Sequence, residues 1–150
     1  GMKIGHLRFK VRDVERAVVF YTGHLKMTLT ERVGDDYAFL GCGDAHHEIA
    51  LMKVKGTGLS PSPESTGFEH VAFELPDKRA FADTFMGLSK SGVAVKPIDN
   101  GISWAMYFAD PDGHRVELFC DNRGIPGGRL TWGGISDELD VEVIKAAREA

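Results

Sequence analysis

The sequence has little cysteine, no excess of positive charge and no long apolar run. Its two cysteines, Cys42 and Cys120, lie in strand-like segments, so we expect reduced, buried thiols rather than a disulfide. The net charge of −4 argues against nucleic acid, which requires a basic face. No apolar segment approaches a membrane span and no secretory signal pattern opens the chain, which predicts a cytoplasmic protein with no membrane partner.

The most informative feature present is a repeat. His6–Asp13 (HLRFKVRD) returns as His70–Asp77 (HVAFELPD), an offset of 64 residues from position 6 to position 70. Each copy opens with a histidine and leads into a helix-like pattern. Two copies in 150 residues indicate a duplicated supersecondary unit rather than a solenoid, which needs three or more repeats.

Hydrophobic periodicity predicts the order β-α-β-β-β in each copy. In the first copy we expect strands at 4–11, 27–33, 37–42 and 48–55, with a helix capped by Asp13. In the second we expect strands at 68–75, 93–98, 103–109 and 115–120, with a helix from Asp77 to about Ser91. Asp110–Gly113 (DPDG) has the residues of a type I turn.

The predicted fold class is therefore α+β. Two paired β-α-β-β-β modules would form a curved mixed sheet around a metal-binding cavity, with the helices outside. Residues 1–150 would make one domain, with module one at about 3–55, a linker at 56–67 and module two at about 68–121. A glycine-rich C-terminal extension, 122–150, would follow, loose at first and helical over 137–149.

Three residues are candidate metal ligands: His6, His70 and Glu117. By strand alternation, each points away from the apolar side chains that should face the helices. A charged glutamate buried without a partner costs several kcal/mol, which coordination to a metal would offset. Two imidazoles and a carboxylate suit a borderline divalent metal. Taken singly, each residue would more often be an ordinary hydrogen-bonded or salt-bridged side chain. The coincidence of repeat position, strand parity and residue type is what favours a metal site.

The segment Asp110–Phe119 (DPDGHRVELF) and the paired modules resemble the vicinal oxygen chelate superfamily over about residues 3–121. That superfamily includes glyoxalase I, type I extradiol dioxygenases and bleomycin-binding proteins. The resemblance implies His6, His70 and Glu117 as its metal ligands. Glyoxalases usually add a fourth ligand where this chain has Ala50, so a three-ligand site with open positions for substrate and dioxygen is expected. A small register shift would instead bring in Glu48.

Two further residues gain roles only from this resemblance. His46–Leu51 (HHEIAL) is similar to a dioxygenase segment in which the histidine matching His47 is an acid/base group, although strand parity would favour His46. Tyr107 matches a tyrosine that hydrogen-bonds substrate or oxygen. The alternatives are exposed loop histidines and an ordinary strand tyrosine.

The chain departs from the extradiol pattern at Asn100, where those enzymes commonly have a proton-transferring histidine. Many of them also have two domains. The fosfomycin enzymes match less well, because they carry threonine where this chain has Arg8.

These observations favour a metal-dependent dioxygenase of the extradiol type acting on a small catechol-like aromatic substrate. Fe(II) is the expected metal, with Mn(II), Zn(II) or Ni(II) as alternatives. A glyoxalase-type lyase or isomerase and a non-catalytic binding protein of the bleomycin-resistance type remain open. The resemblance also implies a homodimer, with the ligands drawn from one chain or from two. Substrate-binding residues are not readable from the sequence.

Overall fold

The computed structural model describes residues 1–149, which fall into two compact units. The first unit comprises residues 1–63 and 110–114, and the second comprises residues 64–109 and 115–149. Ala150, the last residue of the predicted extension, lies outside the described residues.

The first unit holds four strands and one helix: β1 (Leu7–Val11), α1 (Val14–His24), β2 (Thr28–Val33), β3 (Tyr37–Gly41) and β4 (Ile49–Lys53). The second holds β5 (Val71–Leu75), α2 (Lys78–Lys90), β6 (Lys96–Asp99), β7 (Ser103–Ala109), β8 (Arg115–Asp121), β9 (Asp137–Glu138) and α3 (Val141–Ala146). No helix within residues 1–149 has the length and apolar character needed to cross a membrane.

The first unit contains a mixed four-stranded sheet in the order β1-β4-β3-β2. β1 runs parallel to β4, and the other neighbours are antiparallel. In β1, Val11 is buried while Arg8 and Lys10 are exposed, which confirms the alternation that the sequence predicts.

The second unit contains a mixed five-stranded sheet in the order β5-β8-β7-β6-β9. β5 runs parallel to β8, and β7 is antiparallel to both β8 and β6. On one face of the sheet, Trp104 of β7 packs against Phe81 of α2, with ring centroids 5.7 Å apart. The other face carries Tyr107 and Glu117, which are direct neighbours across β7 and β8. The α+β class with a β-α-β-β-β order in each repeat is confirmed.

Both long helices begin at an aspartate, as predicted. The Asp13 carboxylate accepts a hydrogen bond from the backbone N–H of Arg16 at 3.1 Å, and Asp77 accepts one from Ala80 at 2.8 Å. Each bond satisfies an N–H group that has no partner inside its helix. Asp13 and Asp77 lie at equivalent positions of the two repeats, so the two repeats also share the residue that starts the helix.

Several boundaries differ from the prediction. β1 and β5 each begin three residues later than expected, at Leu7 and Val71. β6 begins at Lys96 rather than at residue 93, because Gly92 and Val93 close the end of α2. Gly92 has a positive φ of 83°, a conformation that glycine adopts without strain.

The two cysteines are free thiols, as expected, but only one is buried. Cys120 lies in β8 and is fully buried. The prediction of a buried Cys42 is wrong, because β3 ends at Gly41 and leaves Cys42 exposed in the following loop.

The C-terminal extension is tied to the second unit, and the predicted continuous helix over 137–149 is wrong. Asp137–Glu138 forms the short strand β9 against β6, and α3 covers only Val141–Ala146. Ile144 of α3 is fully buried, and the Arg148 guanidinium forms an ion pair with Asp83 of α2 at 2.9 Å.

Candidate metal centre

In the second unit His70 and Glu117 lie together. The Nε2 atom of His70 is 3.1 Å from Oε1 of Glu117, and its Nδ1 atom is 2.7 Å from Oε1 of Glu69. Glu117 is buried, with its side chain 12% exposed, whereas that of Glu69 is 64% exposed. One imidazole therefore bridges an interior carboxylate and a surface carboxylate.

Strand register explains why these side chains meet. β5 pairs with β8 so that Val71 lies opposite Val116, which places His70 and Glu117 on the same side of the sheet. Tyr107 lies directly opposite Glu117 on β7. The ring of His70 meets that of Tyr107 edge-on, with centroids 5.7 Å apart.

Two polar side chains flank Tyr107. The Arg115 guanidinium lies over the Tyr107 ring, 4.1 Å from its centroid, and forms an ion pair with Glu69. Burial, followed by the hydrogen bond and charge of Glu117, raises the pKa of Tyr107 to about 12, so its hydroxyl keeps its proton. Asn100 acts in the opposite direction, through a hydrogen bond to the tyrosine side chain.

In the first unit His6 lies beside His47, with ring centroids 4.8 Å apart. His47 also packs edge-on against Phe39 at 4.9 Å, and its Nδ1 atom is 2.8 Å from that of His46. Burial, then the neighbouring His6 and His46, lower the pKa of His47 and favour its neutral form. His46 turns instead to Glu31, with Nε2 and Oε1 3.0 Å apart. Of the two candidates, His47 is the one whose ring packs against His6.

The positions considered for a fourth ligand have other surroundings. Ala50 is fully buried, next to Arg8 of β1 and Phe39 of β3. Glu48 precedes β4, and its Oε2 atom accepts a hydrogen bond from the backbone N–H of Cys42 at 3.1 Å. The Glu48 carboxylate therefore fastens the loop after β3.

The donors of the second unit fit a divalent cation. In the tautomer whose Nδ1–H donates to Glu69, Nε2 of His70 carries a lone pair and faces the Glu117 carboxylate. Both of these atoms are hydrogen-bond acceptors, so their contact needs a proton or a cation between them. A metal-binding histidine usually donates the N–H of its other ring nitrogen to a carboxylate, which orients the ring. Within either unit of residues 1–149, no group of three His, Cys, Asp or Glu side chains is arranged to hold a metal ion. His6 belongs to the first unit, and His70 and Glu117 to the second.

Comparison with protein families gives the same assignment as the repeat and the strand order. Residues 3–118 match the model of the Glyoxalase/Bleomycin resistance protein/Dioxygenase superfamily. This chain belongs to that superfamily. A domain of this superfamily from Frankia sp. EAN1pec has the same fold, with a TM-score of 0.69 and 24% identity over 83% of this chain and 95% of that one.

Curated relatives within the superfamily carry different enzyme names. Biphenyl-2,3-diol 1,2-dioxygenase 3 of Rhodococcus globerulus is 34% identical over 59% of this chain and 47% of its own length. A probable lactoylglutathione lyase of Vibrio cholerae is 25% identical, with coverage of 83% and 95%. Glutathione transferase FosA of Serratia marcescens is 30% identical, with coverage of 77% and 78%. The chain thus spans about half the length of the dioxygenase, and its relatives are enzymes acting on small molecules.

Sequence reasoning missed Glu69 and Arg115. A signal for Arg115 existed, because strand alternation puts it on the same face of β8 as Glu117, two residues away. Glu69 lies inside the predicted strand 68–75, where alternation would place it on the face opposite to His70. β5 begins only at Val71, and Glu69 contacts His70 just before the strand.

Proposed function

We propose that this member of the superfamily is a metal-dependent dioxygenase of the extradiol type, which opens a small catechol-like ring with dioxygen. The observation that carries the proposal is the cluster of His70, Glu117 and Tyr107 on one face of the second sheet. The biphenyl-diol dioxygenase of Rhodococcus globerulus supports it through 34% identity over 90 residues.

His6, His70 and Glu117 would hold the metal, Fe(II) in the first place and Mn(II), Zn(II) or Ni(II) as alternatives. When bound, such an ion acts as a Lewis acid and as a template for two neighbouring substrate oxygens. Glu69 would fix the His70 ring through its contact with Nδ1, so that Nε2, which faces Glu117, would be the nitrogen that binds the ion.

The remaining residues would position the substrate and move its protons. The Tyr107 hydroxyl, beside Glu117, would donate a hydrogen bond to a substrate oxygen. His47, packed against His6, would accept a proton from a substrate hydroxyl and return it to the ring-opened product. Asn100 can donate a hydrogen bond next to Tyr107 but cannot transfer a proton, which leaves His47 as the proposed proton carrier.

A glyoxalase-type lyase or isomerase is the second candidate. The observation that supports it is coverage, because the match to the Vibrio cholerae lyase covers 95% of that enzyme. Two observations weigh against the fourth ligand that such enzymes usually have: residue 50 is an alanine, and Glu48 is hydrogen-bonded to Cys42.

We also propose a homodimer, for which a solution mass about twice that of the chain is expected.

The test combines metal loading with an oxygen assay. After anaerobic loading with Fe(II), we expect about one metal ion per chain, oxygen uptake with a panel of catechols that includes biphenyl-2,3-diol, and a yellow ring-opened product. His70→Ala should lose both metal and oxygen uptake, whereas the matched variant His24→Ala, on α1, should keep both. Tyr107→Phe should keep the metal and lower kcat by about 10²- to 10³-fold, a typical loss for one hydrogen-bond donor.

Full metal occupancy without oxygen uptake on any catechol would contradict the dioxygenase. Turnover of a hemithioacetal by the same loaded protein would then establish the lyase. Unchanged metal content in His70→Ala would show that the proposed ligand set is wrong.

A further inference from the structure

The C-terminal extension forms one wall of a cavity that the candidate ligand Glu117 also lines. This cavity lies entirely within the second unit and has a volume of about 670 Å³. Tyr107, Glu117 and Asn100 give it a polar side, and Leu130 and Trp132 of the extension line it as well. The sequence assigned no role to these two apolar residues.

Backbone contacts hold the wall in place. The N–H of Asn122 donates to the carbonyl of Ile102 at 2.8 Å, and the N–H of Arg129 donates to that of Gly101 at 3.1 Å. Gly128 closes the intervening turn where a Cβ atom would lie 1.5 Å from the carbonyl oxygen of Asn122. Only glycine fits such an approach, so the turn that leads into the wall has a defined path.

The apolar side chains of the wall are uncovered. Leu130 is 75% exposed and Trp132 is 51% exposed. Trp132 donates its indole N–H to the carbonyl of Ile135 at 2.6 Å, so the polar edge of its ring is already occupied. Exposed apolar side chains that line a cavity are typical of a surface that contacts a ligand.

Arg123, the basic residue among those that line the same cavity, is paired with an acidic neighbour. Arg123 binds the Asp121 carboxylate with two nitrogens, Nε at 3.0 Å from Oδ1 and Nη2 at 2.8 Å from Oδ2. Its guanidinium is therefore already paired within the chain, and a substrate carboxylate would have to compete with Asp121 for it. This arrangement disfavours an anionic substituent and favours an apolar one.

From these contacts we infer that Leu130 and Trp132 are specificity-determining residues that bind an apolar substituent on the ring of the substrate. The inference rests on the proposed function, since it takes the two ring oxygens to lie towards Glu117 and Tyr107. The inference narrows the preferred substrates to catechols that carry an alkyl or aryl group. Carboxylated catechols are then not preferred substrates.

Binding without turnover tests the inference. Calorimetry in oxygen-free buffer with Zn(II) compares catechol, 4-tert-butylcatechol and 3,4-dihydroxybenzoate as probes. We expect 4-tert-butylcatechol to bind most tightly, and Leu130→Ala or Trp132→Ala to weaken it about tenfold while changing catechol affinity less than about twofold. Trp132→Phe, which keeps an aromatic ring, should retain most of the preference. Val143→Ala, at an exposed apolar residue on α3, is the control and should change nothing.

Each other outcome has a defined meaning. Four outcomes would overturn the inference. They are equal losses of affinity for both catechols, no loss in either alanine variant, tightest binding of 3,4-dihydroxybenzoate, and no binding of any probe. If the preference depends on Leu130 but no catechol consumes oxygen with Fe(II), the wall is confirmed and the dioxygenase proposal fails. If catechols are cleaved but the variants leave the preference for 4-tert-butylcatechol intact, the dioxygenase proposal holds and the role of Leu130 and Trp132 is refuted.

Discussion

At the scale of single residues, Asp110 anchors the turn between β7 and β8. Its fully buried carboxylate accepts hydrogen bonds from the Tyr21 hydroxyl at 2.7 Å and from the N–H groups of Asp112 and His114, both at 2.9 Å, and its Oδ2 atom lies 2.8 Å from Nδ1 of His114. The predicted turn is present, with the N–H of Gly113 donating to the carbonyl of Asp110 at 3.0 Å. The turn belongs to the first unit, so a segment of the second repeat is held by α1.

The pair of Asp110 and His114 makes stability depend on pH. The hydrogen bond to Asp110 raises the pKa of His114 although burial opposes it. Burial alone would raise the pKa of Asp110, but the hydrogen bonds from His114 and Tyr21 outweigh it and lower that pKa. The charged pair therefore forms in the folded chain at pH values where His114 still carries a proton.

We predict that His114→Gln destabilises the protein by about 1–3 kcal/mol near pH 6, measured by urea denaturation. A histidine whose pKa is raised on folding contributes stability that is complete below its unfolded pKa and disappears as pH rises through the folded pKa. The difference between wild type and variant should accordingly shrink between pH 6.5 and pH 9.

Tyr21→Phe is the matched control for this prediction. It removes another hydrogen bond to Asp110 but no group that titrates in this range, because burial and then Asp110 raise the pKa of Tyr21 far above it. Its destabilisation should stay nearly constant from pH 6 to pH 9. A His114→Gln effect that is equally constant would refute the charged pair.

At the scale of elements, the predictable parts are those with local signals. Asp13 and Asp77 start helices because each carboxylate caps the following turn. β7 follows its predicted bounds because the large apolar residues Trp104, Met106 and Phe108 recur at every second position along it. β9 has two residues and therefore no periodicity, and it exists only through its pairing with β6. Leu130 and Trp132 likewise lie outside any periodic segment, so no sequence pattern predicts that they line a cavity.

The candidate site divides in the same way. Strand parity predicts the side of the sheet on which Tyr107 and Glu117 lie, because both occupy regular strands. Residues outside strands escape that rule. Glu69 and Glu48 lie inside the predicted strands but precede β5 and β4 as the structure has them. Alternation therefore does not give their partners, which are His70 and the backbone of Cys42.

The helix α3 supplies a prediction at this scale. Ile144 is fully buried where α3 meets α2, whereas its neighbour Val143 is 49% exposed. We expect Ile144→Ala to lower the free energy of unfolding by about 2–4 kcal/mol, because it leaves a cavity, and Val143→Ala to lower it by less than about 1 kcal/mol. Urea denaturation measures both. Equal effects would mean that α3 does not dock as a packed element.

At the scale of the whole molecule, the candidate site residues are divided between the two units. The first repeat contributes His6 with His47, and the second contributes His70 with Glu117 and Tyr107. Catalytic metal sites in proteins usually use three side-chain ligands. In the proposed site, His6 of the first repeat and the pair of His70 and Glu117 of the second would share one ion.

This proposal predicts a binding stoichiometry. The wild-type protein should bind one divalent ion per chain, and His6→Ala should weaken its binding as severely as His70→Ala, by at least about 100-fold, although the pair of His70 and Glu117 stays intact. Zn(II) titration followed by the rise in melting temperature measures the affinity, since an ion that binds only the folded state stabilises it. His24→Ala, which removes an imidazole on α1, should titrate like the wild type. Two weak ions per chain, each lost in only one of the histidine variants, would mean that the repeats carry separate sites and that their ligands never share a metal.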